Sequence, residues 1–449
     1  MALCAARHGA PASTFRLIRM RARSGAPKAR LYSLPAMTFP PVNEQMDLIR
    51  QDAVEVIPEE DLARKLERSV KTGRPLRVKQ GFDPTRPDLH IGHAVSMRKL
   101  RQLQDLGHDV IFVVGDYTAR VGDPTGRSET RPKLSPAEIE ANATTYTDQV
   151  GRILDLARVR IEYNSSWLAP LDLGELLELT SSYTVARMLE RDDFAKRYAE
   201  RRAIAISEFL YPLMQAYDSV ALQADIELGG SDQKFNLLVG RTVQERYDQE
   251  PQVCLIMPLL RGTDGEQKMS KSYDNYVGIA DAPEQQYGRT MSIPDALLEE
   301  WWRLAGDQRG DALETQIVRA KSEPYASKRE LARRIVAIYN NEQAADAAAK
   351  HFDRLFREHA APDEMPELEL PLDSEALKHS PDGDVSALGL FVAAGLAASN
   401  SEAGRLIEQK ALAVNDRLLE DRAERVPAAT GQTVVLRRGK RQYTRVTFR

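Results

Sequence analysis

A chain of 449 residues is too long for one hydrophobic core and calls for two or three domains. With 42% apolar residues, 29% charged residues and a net charge of −4 it reads as soluble and globular, and no apolar run approaches the roughly 20 residues of a membrane span. Its two cysteines, Cys4 and Cys254, exclude a disulfide framework and a multi-cysteine zinc site, and suit a reducing compartment.

At the N-terminus no acid precedes Glu44, while Arg7, Arg16, Arg19, Arg21, Arg23, Lys28 and Arg30 do. This basic, acid-free composition is that of a mitochondrial transit peptide. The plainer reading is a translation start at Met37, which gives a cytoplasmic protein; a genuine transit peptide over 1–36 gives a mitochondrial one. In either case 1–36 is expected to be disordered and stands outside the fold.

From 37 to 281 apolar, β-rich runs alternate with helical patterns. Strands are predicted at Arg77–Phe82, His108–Val114, Val159–Tyr163, Ala221–Glu227 and Val253–Met257, with helices such as Ala94–Leu106 and Pro136–Ala157 between them. That alternation predicts an α/β fold with a Rossmann-like parallel sheet, whose ligands sit at the C-terminal strand ends. Residues 282–358 read as an α-helical domain, including Ser327–Tyr339 and Glu342–His351. A Pro- and acid-rich stretch, 359–384, is expected to be an extended linker. The last segment, 385–449, reads as a small α+β domain. Two short helices, Leu388–Gly395 and Asn400–Gln409, with Ser399 as N-cap, precede a turn at Asn415-Asp416 and a hairpin around Gly439.

Several short motifs follow predicted strands. His90-Ile91-Gly92-His93 opens a helix, where two imidazoles and the helix N-terminus supply donors to phosphate charge, and Gly92 allows close approach of an adenine ring. In Lys268-Met269-Ser270-Lys271-Ser272, two lysines three apart on a Gly-bounded loop suit a clamp for a pyrophosphate leaving group, engaged mainly in the transition state. Offsets of four and seven put Tyr211, Gln215 and Asp218 on one helical face. Such a stripe packs poorly and suits a pocket for a polar aromatic ligand. Near Thr118, a carboxylate such as Asp123 suits an α-ammonium, and in Gly229-Gly230-Ser231-Asp232-Gln233 the Asp232 side chain suits ribose hydroxyls. Taken singly, each has a plainer reading as surface histidines, a solvated basic loop, a polar helix face or a turn.

Together and in this order the motifs resemble those of class I aminoacyl-tRNA synthetases, and from about Pro41 to Arg449 the chain resembles the bacterial-type tyrosyl-tRNA synthetases. That resemblance implies ATP-dependent ligation of L-tyrosine to tRNA(Tyr), with Mg2+ accompanying ATP and no dedicated protein metal site, and a homodimer. It implies that Thr85, His90, His93, Lys268, Lys271, Arg127 and Arg131 assist the chemistry. Gly81, Asp83, Gly92, Gly230, Asp232, Gln233, Met269, Ser270 and Ser272 would form the ATP site, and Thr118, Asp123, Tyr211, Gln215 and Asp218 the tyrosine site. Where the better-known subgroup has a tyrosine before Gln80-Gly81-Phe82-Asp83, this chain has Lys79, as a second subgroup does; no part in selecting tyrosine is given to Lys79.

The C-terminal segment resembles an S4 RNA-binding domain, and the preceding helical region would be the anticodon-binding domain. Gly404 stands where the S4 pattern has a basic residue, leaving Arg405, Arg437, Arg438, Lys440 and Arg441 for tRNA. Three rivals are less well supported: a tryptophanyl-tRNA synthetase, a small nucleotidylyltransferase, and an RNA-binding protein on an idle synthetase scaffold.

Overall fold

The computed structural model describes residues 39–125, 135–356, 365–374, 377, 383–415, 417–439 and 442–449. Four expected site residues, Arg127, Arg131, Lys440 and Arg441, lie outside them, as does the 1–36 extension.

Six strands form the large sheet: β1 (Glu55–Ile57), β2 (Arg77–Phe82), β3 (Asp109–Val114), β4 (Val159–Tyr163), β5 (Ile226–Gly230) and β6 (Val253–Met257), in the order β1-β6-β5-β2-β3-β4. All neighbours run parallel except β1, an antiparallel edge on β6. From β2 the chain builds through β3 to β4 on one side, then returns to lay β5 and β6 on the other. The direction of building therefore reverses between β2 and β5, and at such a reversal a crevice opens beyond the C-terminal strand ends.

Both faces of the sheet are covered, which is why β3 is an unbroken apolar run. Val110, Phe112 and Val114 share a cluster with Ala94, Met97, Leu100 and Leu103 of the helix Ile91–Asp105. Ile111 and Val113 face the other way, against Leu222 of the helix Ile206–Leu222. Strand alternation separates the two sets, and helix periodicity selects what each meets.

Of the boundaries that differ from expectation, two bear on the sheet and its flanking helices. The fourth predicted strand, Ala221–Glu227, begins instead at Ile226, because Ala221 and Leu222 complete a long apolar helix that Gln223 ends in the left-handed region at φ 49°. The strand then runs through Gly229-Gly230, where Gly230 pairs with Met257. The helix from Pro136 ends at Val150 rather than Ala157. Its start follows the sequence: Ser135 and Glu138 form a reciprocal capping box and Pro136 takes the first turn.

Residues 283–356 fold into helices, among them Pro283–Met291, Gly310–Ser322, Pro324–Tyr339 and Glu342–Phe356. Leu297, Trp301, Trp302, Leu331, Ile335 and Tyr339 from this stretch join the cluster beneath the sheet. The C-terminal part has its own core. Its strands are β7 (Glu367–Leu370), β8 (Val385–Ser386), β9 (Leu412–Val414), β10 (Arg417–Leu418), β11 (Arg425–Val426), β12 (Thr433–Arg438) and β13 (Gln442–Phe448). Ser399 caps the helix Asn400–Glu408 as expected, accepting from the Glu402 amide. The stretch 359–384 is not merely a connection: β7 pairs in parallel with β13, and Leu370 and Leu377 are buried in this core. Its alternating Glu-Leu-Glu-Leu is an edge-strand pattern that the surrounding prolines and acids disguise.

Candidate active site

The strand ends enclose a cavity of about 1040 Å³ at the β2/β5 reversal. Thr85, His90, His93, Gly81, Asp83, Thr118, Asp123, Tyr211, Gln215, Asp218, Gly230, Gln233, Lys268, Ser270, Lys271 and Ser272 all line it. Nearly the whole expected set, spread over about two hundred positions in sequence, is thus drawn to one opening. The cavity has two ends, one walled by the helix Ile206–Leu222 and the other by the His90 turn and the Lys268–Ser272 loop.

At the loop end the His90 and His93 rings stack with centroids 3.7 Å apart. The His90 backbone amide donates to His93 Nδ1 at 3.2 Å, which puts the His93 ring proton on Nε2. Burial first, then Lys271 and Lys268, lowers His93 to about 3; burial and His93 also push His90 well below its usual range. Both are neutral donors at physiological pH, and the positive charge here belongs to the lysines. Gly92 is not among the residues that line the cavity, and a Cβ there would stand 3.0 Å from His90 Nδ1, so glycine at this position makes room for the histidine ring.

The Lys268–Ser272 loop is anchored by what surrounds it. Met269 is buried in the main core, its amide bonded to Leu260 O at 2.8 Å. Asn275, itself buried, accepts from the Ser270 amide at 2.7 Å and donates to Asp264 at 2.8 Å. A bridge between His90 and Gly278 ties the His90 turn to the chain that follows the lysine loop. Lys268 Nζ lies 2.6 Å from Asp232 Oδ2, so two expected site residues meet each other; neither Met269 nor Asp232 lines the cavity. Burial lowers Lys271 to about 8, with Asp88 opposing.

The helix end is a network of fixed partners. Asp218 is buried, and its carboxylate accepts from Trp167 Nε1 at 2.7 Å and Asn164 Nδ2 at 3.4 Å. Burial raises it to about 6, against the pull of Lys79. Asp123 is held by Arg191 at 3.2 Å and by Gln233 Nε2 at 2.7 Å. Burial would raise the Asp123 carboxyl, but Arg191, Thr125 and Gln233 outweigh it and hold it below the usual carboxylate range. Asp83, expected beside the nucleotide, turns its carboxylate to this end, accepting from Thr118 Oγ1 at 2.7 Å and Tyr211 Oη at 3.0 Å. Gly115 permits that approach, since a Cβ would come within 2.1 Å of Asp83 Oδ1.

The profile of tRNA synthetases class I (W and Y) matches residues 71–357, and that of the tyrosine–tRNA ligase SYY-like C-terminal domain matches 364–446. Tyrosine–tRNA ligases of Moorella thermoacetica and Geobacter sulfurreducens are each 49% identical to this chain, over 90% and 91% of it and 96% and 99% of their own length. The chain belongs to the tyrosine–tRNA ligase family. The tyrosyl-tRNA synthetase of Archaeoglobus fulgidus, solved with L-tyrosine, shares 25% identity and superposes with a TM-score of 0.56 over 69% of this chain and all of that one. A C-terminally truncated mitochondrial tyrosyl-tRNA synthetase of Coccidioides posadasii has the same TM-score at 23% identity, over 68% of this chain and 90% of that one, a likeness of fold.

Within this tyrosine–tRNA ligase the sequence reading missed Asn164, Trp167 and Arg191, which hold two of the cavity's carboxylates. Asn164 and Trp167 follow β4 directly, so their position at a strand end was the available signal. Arg191 lay in a stretch with no motif. In the C-terminal part Arg438 is already engaged, donating to Leu396 O at 2.8 Å and Glu402 at 2.9 Å, so it holds the helix Asn400–Glu408 rather than standing ready for RNA. Arg405 is exposed on that helix and Arg437 points to the other face of β12. Over Gly404, where the S4 pattern has a basic residue, lies the Arg422 guanidinium, which pairs with Glu408 at 2.9 Å.

Proposed function

We infer that this tyrosine–tRNA ligase activates L-tyrosine with ATP and passes the tyrosyl group to tRNA(Tyr), in one cavity with a division of labour between its ends. The observation that carries the reading is Asp218: a buried carboxylate oriented by Trp167 and Asn164 at one end of a cavity whose other end bears two imidazoles and two lysines. Asp218 accepts the phenolic hydroxyl. Gln215, Asp83 and Asp123 receive the α-ammonium. Thr118 and Tyr211 orient Asp83 for that task.

The tyrosine carboxylate attacks the α-phosphorus of ATP, the bond to the bridging oxygen of the β-phosphate breaks, and pyrophosphate leaves. Thr85, His93 Nε2 and His90 donate to the oxygens of the pentacoordinate phosphorus. Lys268 and Lys271 neutralise the departing pyrophosphate, and Ser270 and Ser272 shape the turn that presents them. A ribose hydroxyl at the tRNA 3′ end then attacks the tyrosyl carbonyl and AMP departs. No side chain becomes covalently attached, and the protein contributes position and charge. Mg2+ arrives with the ATP phosphates; among the described residues no group of three or more His, Cys, Asp or Glu stands ready to hold a metal ion.

Rejection of phenylalanine follows from the buried Asp218 carboxylate, oriented by Trp167 and Asn164, being left without the hydroxyl it would accept from, a rule of which tyrosine–tRNA ligases are themselves the standard example. The exposed apolar side chains Leu173, Leu177, Val185 and Ile206 support a homodimer. Arg405 and Arg437 are the described candidates for tRNA phosphates. Cytoplasmic residence belongs to the same proposal, given a start at Met37; the mass of the native N-terminus tests it. No helix among the described residues is long and apolar enough to cross a membrane. ATP–pyrophosphate exchange without tRNA, run across the twenty amino acids, tests the whole reading. Tyrosine alone should support exchange; exchange with tryptophan would overturn the place given to Asp218.

A further inference from the structure

Beneath the helix end lies a buried ion pair that the reaction does not use directly. Lys79 on β2 and Glu227 on β5 are register partners across the β2/β5 reversal, each 1% exposed, with Nζ and Oε1 3.0 Å apart. Neither is among the residues that line the cavity. A buried pair of this kind adds little to stability over an apolar pair of the same volume, because desolvation offsets the attraction. Its placement calls for another explanation, and Gln215 supplies it.

Gln215 is gripped from both sides. Its backbone oxygen accepts from Lys79 Nζ at 3.0 Å, and its side-chain Nε2 donates to Glu227 Oε1 at 3.0 Å. The other carboxylate oxygen of Glu227 accepts from Ser219 Oγ at 3.2 Å and from Gln252 Nε2. An ionised carboxylate only accepts. Glu227 therefore admits one orientation of the Gln215 amide, nitrogen inward, and Oε1 is left for the cavity that Gln215 lines. The reversed amide would set oxygen against carboxylate and turn two donors towards the ligand. Lys79 Nζ, 3.0 Å from the same Oε1, sets a positive charge against the carboxylate oxygen that Gln215 donates to.

We propose that the Lys79–Glu227 pair is a positioning pair that locks the Gln215 amide with its carbonyl oxygen towards the cavity, so that the site selects ligands carrying an α-ammonium. This rests on Gln215 being an ammonium ligand and adds what makes it one. It also gives Lys79 a part in choosing the ligand, through its ammonium group and without touching the phenol.

The test compares tyrosine with 3-(4-hydroxyphenyl)propionate, which lacks only the ammonium, as a competitive inhibitor of tyrosine-dependent ATP–pyrophosphate exchange by the full chain. In Glu227→Gln and in Lys79→Met the KM for tyrosine should rise about tenfold with kcat little changed, while the inhibition constant of the desamino analogue stays within about twofold. The double variant Lys79→Met/Glu227→Met leaves no lone buried charge. It should melt closer to the parent than either single variant and still show the ammonium-specific loss. Equal weakening of both ligands in the double variant, or an unchanged KM for tyrosine, would overturn the proposal and leave the pair a packing feature. Gln215→Ala separates the two levels. An ammonium-specific loss there without one in the pair variants sinks only the positioning role; no such loss in Gln215→Ala sinks the ligand assignment and the proposal with it.

Discussion

The two ends of the cavity solve opposite electrostatic problems. At the helix end negative charge is buried and every carboxylate has named partners: Asp218 has Trp167 and Asn164, Asp123 has Arg191 and Gln233, Asp83 has Thr118 and Tyr211. At the loop end the charge is positive and carried by lysines on a turn, Lys268 remaining 45% exposed in its pairing with Asp232. A binding pocket gains from being fixed before the ligand arrives. A group that acts on a leaving phosphate gains from engaging only as charge develops. On the division of labour proposed above, recognition is built into the sheet and its helix, whereas rate enhancement is carried by a loop.

If that contrast is right, mutations at the two ends should separate cleanly in kinetics. The largest effect is expected for Lys271→Ala, which should lower kcat for pyrophosphate exchange by about 10²- to 10³-fold with little change in the KM for tyrosine. A comparable loss of tyrosine affinity would erase the distinction between the ends. Asp218→Ala should act the other way, raising the KM for tyrosine by about 10- to 100-fold and narrowing the preference over phenylalanine. Exchange assays with both amino acids measure it, and a normal KM would remove Asp218 from the pocket.

The same contrast fixes a pH profile. Asp218, raised to about 6, loses its carboxylate form as pH falls through that value; Lys271, lowered to about 8, loses its ammonium as pH rises through it. His90 and His93 stay neutral throughout and add no limb. A plot of kcat/KM for tyrosine should therefore fall on the acid side, and kcat/KM for ATP on the alkaline side. Lys271→Ala should abolish the alkaline limb alone. The smallest effect belongs to the C-terminal part: Arg437→Ala should weaken tRNA binding a fewfold and reduce its salt slope by about one, leaving tyrosine-dependent exchange untouched.

Much of this was legible because its signals are local. Strand β2 and strand β6 stand at the predicted residues, since apolar β-branched runs bounded by turns carry their own period. Strand β5 slipped because Ala221 and Leu222 fit a strand and a helix equally well, and only the partner β6 decides that pairing continues to Gly230. Strand β7 was hidden because a four-residue edge strand takes its identity from β13, some eighty positions away. Gly92 carries a familiar motif, but its closeness to the His90 ring is visible only in three dimensions.

By itself the sequence determined which chemistry is present, through the residue types and short spacings of the His90–His93 and Lys268–Ser272 segments, together with the family and the order of elements. The tertiary structure alone decided which charges meet. Arg191 reaches Asp123 across sixty-eight positions and Asn164 reaches Asp218 across fifty-four. Lys79 and Glu227 become neighbours only because β2 and β5 lie side by side at the reversal of the sheet. Such pairings have no period and no local propensity to betray them: an ion pair is set by distance in space, and distance in space is what folding adds to the chain.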